Sequence, residues 1–331
     1  MRGNILYLVI PCFNEEEVLN QTAAVMKEKL IRMTSEHKIS AKSKILFVND
    51  GSKDSTWEII HKLCQTDSIF SGLSFSQNYG HQNAILAGML QAGKHADMVV
   101  TIDADLQQDI EALDQFVEAY QRGCEVVYGV RNNRNSDGFL KKFTAGIFYG
   151  FMKLLGCEVM KNHADYRLLS KKAVEALSQY KEVNLFLRGL IPSMGFQSDI
   201  VYFDVKEREA GVSKYTFKKM FGLAASGITS MSTRPIQAIT VLGVIVSMFS
   251  FVMIVFVVTE WIQGKNIPGY TTSLIISLLM GGLIIFSLGI VGEYIGKIYM
   301  ETKARPRFII DSVIWREDKE NECGNSEENE L

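Results

Sequence analysis

Two long uncharged stretches near the C-terminus constrain the fold of this 331-residue chain more than any other feature. Residues 238–258 contain no charged side chain, and residues 273–295 contain only Glu293. Each stretch has about the 20 residues that a helix needs to cross the hydrocarbon core of a bilayer. A buried helix pair in a soluble protein is the alternative, but two such runs are difficult to bury in a small domain. The sequence therefore predicts a two-helix transmembrane hairpin.

Basic residues are distributed unevenly around these two stretches. The loop between them carries Lys265 as its single basic residue, whereas the flanking segments carry Lys218, Lys219, Arg234, Lys297, Lys303, Arg305 and Arg307. Lys and Arg accumulate on the cytosolic side of membrane proteins. The pattern predicts a multi-pass protein of the cytoplasmic membrane, with residues 1–212 and both termini in the cytosol.

Composition excludes several other classes of protein. The formal net charge of −2 argues against a general nucleic-acid binder. The five cysteines are odd in number and show no CxxC spacing, which fits reduced thiols better than a disulfide framework or a zinc site. The apolar run at the N-terminus is too short for a signal peptide.

Residues 1 to about 205 alternate between strand-like and helix-like patterns. The predicted helices include residues 16–35, 55–65 and 110–122, and the predicted strands are residues 4–10, 44–49, 71–76, 97–102, 125–130 and 199–205. Such alternation predicts an α/β domain with a mostly parallel sheet and helices on both faces. Polar clusters follow the first, second, fourth and fifth strands, where the ligands of such sheets bind.

The remaining segments complete the predicted domain organisation. Residues 213–236 combine apolar residues at helical spacing with nearby lysines, which is typical of interfacial amphipathic helices, although an ordinary surface helix has the same pattern. The hairpin occupies residues 237–296. Residues 297–331 form a basic segment and then an acidic tail that is predicted to be disordered from residue 316 onward.

The DADLQ segment ends the fourth predicted strand with two carboxylates. Asp103 and Asp105 bracket one small residue, so their side chains can converge on one ion, and Gln107 offers an amide oxygen nearby. These hard oxygen ligands suit Mg²⁺ or Mn²⁺. A helix N-cap is the alternative interpretation, since Asp before a helix binds its free N–H groups.

Asp50 occupies a comparable place in VNDGSKDST, after the second predicted strand. Its carboxylate could accept hydrogen bonds from a nucleobase or ribose, and a purely structural turn is the alternative. The chain contains neither GxGxxG after a strand nor GxxxxGK[ST], so a dinucleotide site or a P-loop is unsupported.

Several cations lie downstream in loops or at element ends, and arginine offers the planar fork that matches phosphate oxygens. For each one alone a solvated surface charge is the favoured interpretation, and several would be needed to neutralise a diphosphate; they are Arg131, Arg134, Arg167, Arg188, Arg208 and Lys214. His81 and His163 lie inside suggestive clusters, but hydrogen-bonded loop histidines are the favoured interpretation for both.

The order of the motifs is more specific than any one of them. PCFNEEE, VNDGSKDST, SFSQNYGHQNA, DADLQ, GVRNNR, DYRLL, REAGVSKY and GEYIGKIYMETKARP follow one another along the chain. Together they resemble the family 2 glycosyltransferases of the GT-A fold, specifically the membrane-anchored polyprenyl-phosphate glycosyltransferases related to dolichol-phosphate mannose synthase. The resemblance covers about residues 6–307. It implies transfer of a sugar from a nucleotide donor to the phosphate of a long-chain isoprenoid lipid at the cytosolic membrane face.

The resemblance also implies roles for individual residues on the donor side. The loop that frames the nucleotide base corresponds to Pro11, Phe13, Asn14 and Glu15, and the acid that contacts the nucleoside corresponds to Asp50. The site for the metal, Mg²⁺ or Mn²⁺, and for the diphosphate corresponds to Asp103, Asp105 and Gln107. A flexible motif over the diphosphate corresponds to Arg208 and Lys214.

The acceptor side follows in the same way. Arg131 corresponds to an arginine that meets the acceptor or donor phosphate, and Asp165 with Arg167 corresponds to residues lining the acceptor side. Arg188 is expected to bind the acceptor as well. The expected catalytic residues are Asp105, Arg131 and Asp165, with Asp165 positioning the acceptor and base catalysis as the alternative.

Two departures from the family pattern are visible. Gln77 stands where the family often has Arg, which puts one positive contact in doubt. The common DADLQDPPE is DADLQQDIE here, and the lost prolines affect the following helix more than the metal ligands.

The resemblance implies an inverting transfer from a UDP-sugar, such as UDP-glucose or UDP-N-acetylglucosamine, to undecaprenyl phosphate for cell-envelope glycosylation. Gly289, Gly292 and Gly296 favour close helix packing, within the hairpin or in a homo-oligomer. Two alternatives stay open. A polysaccharide synthase relative would share the donor motifs but carries QxxRW, which this chain lacks. A non-catalytic sugar-nucleotide-binding membrane scaffold would bind the donor without turnover.

Overall fold

The computed structural model describes residues 3–132, 163–204, 232–263 and 269–315. They divide into two compact units. Among the described residues, the first unit contains 3–132, 163–204 and 306–315, and the second contains 232–263 and 269–305. Residues 306–315, which follow the predicted hairpin in the chain, belong to the first unit.

One sheet organises the first unit. Its strands are β1 Leu6–Cys12, β2 Lys44–Asn49, β3 Phe70–Phe75, β4 Met98–Thr101, β5 Val126–Arg131, β6 His163–Ser170, β7 Ser198–Phe203 and β8 Ile310–Ile314, in the spatial order β7-β5-β6-β4-β1-β2-β3-β8. β6 pairs antiparallel with β4 and β5, and β8 pairs antiparallel with β3, while the other neighbouring pairs are parallel. The predicted mostly parallel sheet is confirmed.

Helices cover both faces of this sheet. They are α1 Leu19–Ser35, α2 Thr56–Thr66, α3 His81–Ala92, α4 Leu113–Gln121, α5 Lys171–Gln179 and α6 Leu187–Ser193. A 3₁₀ turn at Ile110–Ala112 precedes α4. Since side chains alternate along a strand, β1 supplies both cores. Leu8 and Ile10 pack with α1, α2 and α4 on one face, and Tyr7 and Val9 pack with α3, α5 and α6 on the other.

The second unit contains two long apolar helices, α7 Arg234–Ile262 and α8 Tyr270–Thr302. Both are long and apolar enough to cross a membrane and are candidate spans. Large apolar side chains such as Phe251 and Ile285 are 69% and 72% exposed. This exposure disagrees with a buried helix pair, at least for the side chains that the structure describes. The predicted interfacial segment, apart from its last residues, and the acidic tail lie outside the described residues.

Gly51 is required by the turn that follows β2. Its φ of +63° lies in the left-handed region, and a Cβ there would lie 2.3 Å from the carbonyl carbon of Gln77. We expect Gly51→Ala to lower the free energy of unfolding by about 3 kcal/mol, because backbone strain and a backbone clash add.

Gly195→Ala is the matched control for this prediction. Gly195 has a similar φ of +69° but open space where a Cβ would lie, so only the conformational cost of about 1 kcal/mol applies. Thermal unfolding of the two full-length variants in detergent measures the difference. Equal losses of stability would contradict the clash at Gly51.

Candidate active site

The loops after β1 and β2 are joined by hydrogen bonds at the carboxyl edge of the sheet. Asn14 has a φ of 54°, and its Oδ1 accepts from the backbone N–H of Lys53 at 2.9 Å. Glu15 donates its backbone N–H to Thr56 Oγ1 at 2.9 Å. Pro11 is buried in β1, whereas Phe13 is 43% exposed beside these loops. The structure thus brings the four predicted base-framing residues together at one edge.

Asp50 lies directly after β2 and holds the start of α3. Its Oδ1 accepts from the backbone N–H of Tyr79 at 2.7 Å, and its Oδ2 accepts from that of Gly80 at 3.0 Å. The side chain is buried, and burial raises the pKa of the carboxyl against the effect of these hydrogen bonds. Asp50 therefore performs a structural function in addition to any contact with a nucleoside.

Asp103 follows β4 and is fixed by Gln108. Gln108 Nε2 donates to Asp103 Oδ2 at 2.5 Å, while Gln108 Oε1 accepts from the Asp103 backbone N–H at 3.2 Å. Burial raises the pKa of Asp103, and the neighbouring Asp165 and Asp105 add to this against the opposing charges of His81 and Arg131. A cation beside Asp103 would relieve this unfavourable charge.

Asp105 begins a tight turn in the same loop. Its Oδ1 accepts from the backbone N–H of Gln107 at 3.2 Å, and Leu106 between them has a φ of 55°. A left-handed non-glycine residue costs free energy, and residues strained in this way cluster at active sites and ligand-binding loops. The loop therefore stores strain at the predicted metal position.

The donor set of this loop fits a hard divalent cation. Asp103 and Asp105 supply two carboxylates, and Mg²⁺ commonly binds through one or two carboxylates with the rest of its shell from water and substrate phosphates. Among the described residues, no three His, Cys, Asp or Glu side chains form a preassembled metal cluster. Two carboxylates are the number of protein ligands with which Mg²⁺ commonly binds beside substrate phosphates.

Asp165, on β6, is surrounded by positive charge. Arg167 Nη2 donates to Asp165 Oδ1, and Arg188 donates through Nε to Oδ1 at 3.2 Å and through Nη2 to Oδ2 at 2.8 Å. Burial opposes ionisation of Asp165, but the charges of Arg167 and Arg188 lower its pKa well below the usual range. The carboxyl is therefore an anion at neutral pH.

His81 lies between Asp103, which follows β4, and Asp165, which lies on β6. Its Nε2 is 3.6 Å from Asp103 Oδ1 and 3.8 Å from Asp165 Oδ2. His81 is the first residue of α3, and the hydrogen bonds of Asp50 fix the residues immediately before it. The imidazole connects the predicted metal side of the site to the predicted acceptor side.

The structure brings most of the predicted residues to one edge of the sheet. Arg131 ends β5 with an exposed side chain and contributes a positive charge near Asp103. Arg208 and Lys214 lie outside the described residues. His81 and Gln108 were not among the predicted site residues, although His81 stands inside the quoted motif NYGHQNA.

Comparison with known proteins identifies the relatives of the chain. Residues 7–178 match the model of the family described as Glycosyl transferase family 2. An uncharacterised glycosyltransferase of Bacillus subtilis (strain 168), YkoT, is 44% identical over 313 residues, which cover 95% of this chain and 93% of the relative.

Two further relatives carry a more specific description. A bactoprenol glucosyl transferase of Shigella phage SfX is 39% identical over 307 residues, covering 92% of this chain and 98% of the relative. A prophage bactoprenol glucosyl transferase homolog of Escherichia coli (strain K12) is 38% identical over 308 residues, with coverage of 92% and 98%. The similarity extends beyond the matched family region and through both apolar helices.

Proposed function

Because the chain belongs to glycosyltransferase family 2, we propose that it transfers a sugar from a UDP-sugar to undecaprenyl phosphate, with inversion at the anomeric carbon. UDP-glucose and UDP-N-acetylglucosamine are the proposed donors. The product is a lipid-phosphate-linked monosaccharide for cell-envelope glycosylation. Similarity to bactoprenol glucosyl transferases over more than nine-tenths of both chains supports the acceptor. The observation that carries the proposal is the cluster of Asp103, His81, Asp165 and Arg188 at the carboxyl edge of the sheet.

The donor side of the cluster is suited to a nucleoside diphosphate. Asp103 and Asp105, with Gln107, would hold Mg²⁺ or Mn²⁺, and the bound cation would offset charge on the departing diphosphate. The loops that carry Asn14 and Asp50 lie at the same edge and would enclose the nucleoside. Arg208 and Lys214 are proposed to contact the diphosphate.

The acceptor side needs little base catalysis. A phosphate monoester has a second pKa of about 6, so the lipid phosphate is largely dianionic at neutral pH and is already a nucleophile. Asp165 is held as an anion by two arginines and is a poor proton acceptor. We assign it to positioning Arg188, whose side chain is 30% exposed and can meet a phosphate. Arg167 is fully buried and acts on Asp165.

The membrane would concentrate the acceptor next to this site. We propose that α7 and α8 anchor the protein in the cytoplasmic membrane as a hairpin, with the transferase domain and both termini in the cytosol. Holding two substrates at one surface raises their effective concentration. The chain is also proposed to form a homo-oligomer through the glycines of α8.

The pH dependence of the transfer rate shows whether the acceptor phosphate or the Asp165 carboxyl titrates. As the pH is lowered, we expect the rate to fall with a midpoint near pH 6, where the acceptor phosphate is protonated. Asp165 should not contribute to this midpoint, because its pKa lies well below its usual range. Initial rates between pH 5 and pH 8 test this. A phosphonate analogue of the acceptor, whose second pKa is higher, should move the midpoint upward. A midpoint that stays unchanged would assign the titration to the protein.

A donor panel tests the proposed function itself. Purified full-length protein in detergent would be supplied with undecaprenyl phosphate, Mg²⁺ or Mn²⁺ and one UDP- or GDP-sugar at a time, and scored for lipid-linked sugar. We expect product from one UDP-sugar, and none with a chelator present. Binding of nucleotide without product from any donor would favour the membrane scaffold instead. Processive chain growth would favour a polysaccharide synthase.

A further inference from the structure

The end of the described chain forms a clasp, defined here as residues 307–315, that packs on β3 and on the loop after it. β8 pairs with β3 from Gly72 opposite Ile314 to Phe75 opposite Ile310. The backbone N–H of Ser76 then donates to the carbonyl oxygen of Ile309 at 3.1 Å. The pairing therefore continues one residue beyond β3, into the loop that leads to His81.

Three aromatic rings extend this connection from the clasp into the loop. Phe308 stacks on Phe75, with ring centroids 5.1 Å apart and planes 18° from parallel. Phe75 in turn meets Tyr79 edge to face at 5.6 Å. Phe75 is buried, whereas Phe308 and Tyr79 are half-buried. Aromatic pairs of this kind contribute about 0.5–1.5 kcal/mol each beyond their burial.

Tyr79 passes this constraint to the candidate active site. Its backbone N–H and that of Gly80 both donate to the buried carboxylate of Asp50. Gly80 has a φ of +92°, and His81 follows with its imidazole between Asp103 and Asp165. A displacement of the Tyr79 ring would therefore move the imidazole relative to both carboxylates.

The other end of the clasp is attached away from this loop. Trp315 contacts Tyr7 at 5.6 Å and His95 at 4.5 Å between ring centroids. It follows Ile314, which pairs with Gly72 near the start of β3, whereas the loop to His81 leaves from the end of β3. Trp315 is thus a second aromatic anchor of the clasp, and the ring partners described for it are Tyr7 and His95.

We propose that Phe308 is a positioning residue for sugar transfer: through Phe75 and Tyr79 it fixes the loop that places His81 between Asp103 and Asp165. This inference rests on the proposed function, because it assigns to Phe308 an effect on that reaction. Phe308 acts through the aromatic rings, so its effect should require Tyr79.

Steady-state kinetics of full-length variants test the positioning role. We expect Phe308→Ala to lower kcat about 10-fold, since a displacement of about 1 Å within an active site can cost that much or more. Trp315→Ala also removes an aromatic anchor of the clasp, and it should lower kcat by about 2-fold or less at a comparable fall in Tm. Phe308→Tyr keeps the stacked ring and should restore the rate. Equal losses of kcat in the two alanine variants would overturn the inference.

A double-mutant cycle shows whether Phe308 acts through Tyr79. In a Tyr79→Leu background, Phe308→Ala should change kcat by about 2-fold or less, because residues that act in series are not additive. Trp315→Ala should have the same effect in both backgrounds. A 10-fold loss of kcat on Phe308→Ala in the Tyr79→Leu background would contradict an action of Phe308 through Tyr79.

Amide hydrogen exchange provides a readout that does not depend on activity. Phe308→Ala should speed exchange of the Tyr79 and Gly80 amides that donate to Asp50, whereas Trp315→Ala should leave them protected. Equal exchange in the two variants would overturn the inference even if the wild-type protein transfers sugar. Selective loss of protection in a protein that transfers no sugar would instead overturn the proposed function and leave the contact between clasp and loop established.

Discussion

Asp165→Asn is expected to lower the free energy of unfolding by about 3–5 kcal/mol and to lower kcat at least about 100-fold. The substitution removes the carboxylate charge that is paired with the fully buried guanidinium of Arg167, and the amide leaves Arg188 one oxygen acceptor in place of two. Breaking a buried ion pair by removing one partner is costly for this reason. Thermal unfolding and initial transfer rates of the same preparation measure both effects.

Asp199→Asn is the control for the stability part of this prediction. Asp199 pairs with Arg122 Nη2 at 2.6 Å, but both side chains are exposed. Exposed ion pairs contribute about 1 kcal/mol or less. A loss of stability in Asp165→Asn no larger than that in Asp199→Asn would contradict the buried charge cluster.

The loss of stability in Asp165→Asn should depend on pH in a defined direction. The carboxyl titrates at about 3.9 in the unfolded chain, and in the folded protein the two arginines lower the pKa of Asp165 further. A group with a lowered folded pKa stabilises fully above its unfolded pKa and loses this effect as the pH falls toward the folded value. The stability difference between wild type and Asp165→Asn should therefore be constant from pH 5 to pH 8. A difference that shrinks between pH 8 and pH 6 would show that Asp165 titrates there.

Asp105→Ala is expected to reduce transfer at least about 100-fold, with little loss of stability, because it removes one of two carboxylates proposed to hold the divalent cation. Asp109→Ala is the control from the same loop. Asp109 Oδ1 accepts from the backbone N–H of Glu111 and caps the turn before α4, so its loss should cost about 1 kcal/mol of stability and about 2-fold in rate.

Titration with Mn²⁺ separates metal binding from the chemical step in these two variants. In the presence of UDP, Asp105→Ala should bind Mn²⁺ at least about 10-fold more weakly, while Asp109→Ala should bind it as the wild type does. Unchanged Mn²⁺ affinity in Asp105→Ala would remove this residue from the metal site.

The sequence predicted β1 to β5 well because they are mostly apolar runs that are buried on both faces, and it also predicted β7, which is largely exposed. Residues 44–49 form β2 as predicted, and the other five predicted strands lie within two residues of the observed ends. The family match also confirms the GT-A-like α/β fold that the resemblance implied. Local pattern is sufficient where each strand is buried on both faces.

The elements that the sequence did not predict lack such a local pattern. β6 is a buried strand that contains the charged residues Asp165 and Arg167, so its sequence does not show the apolar run typical of a buried strand. α3 is buried on most sides and therefore shows little amphipathic periodicity. β8 is short and mostly exposed at the sheet edge, and it pairs with a strand more than 200 residues earlier.

The candidate site was predictable as a set of residues but not as an arrangement. Asp50, Asp103 and Asp165 were selected from their motifs, yet only the fold shows that His81 lies between the last two. In the DADLQ loop the left-handed turn at Leu106 brings the side chain of Gln108 to Asp103, which residue spacing alone did not indicate. The position of His81 depends on elements that are distant in sequence, and that of Gln108 depends on the backbone conformation of one loop.

Transfer of labelled sugar from a UDP-sugar to undecaprenyl phosphate tests the central claim most directly. Full-length wild type would be incubated with labelled UDP-glucose or UDP-N-acetylglucosamine, with and without the lipid phosphate, alongside Asp165→Asn. We predict one lipid-linked monosaccharide that requires the acceptor, has inverted anomeric configuration and is absent with the variant. Release of free sugar at the same rate with and without the lipid phosphate, or no release at all from either donor, would contradict the account.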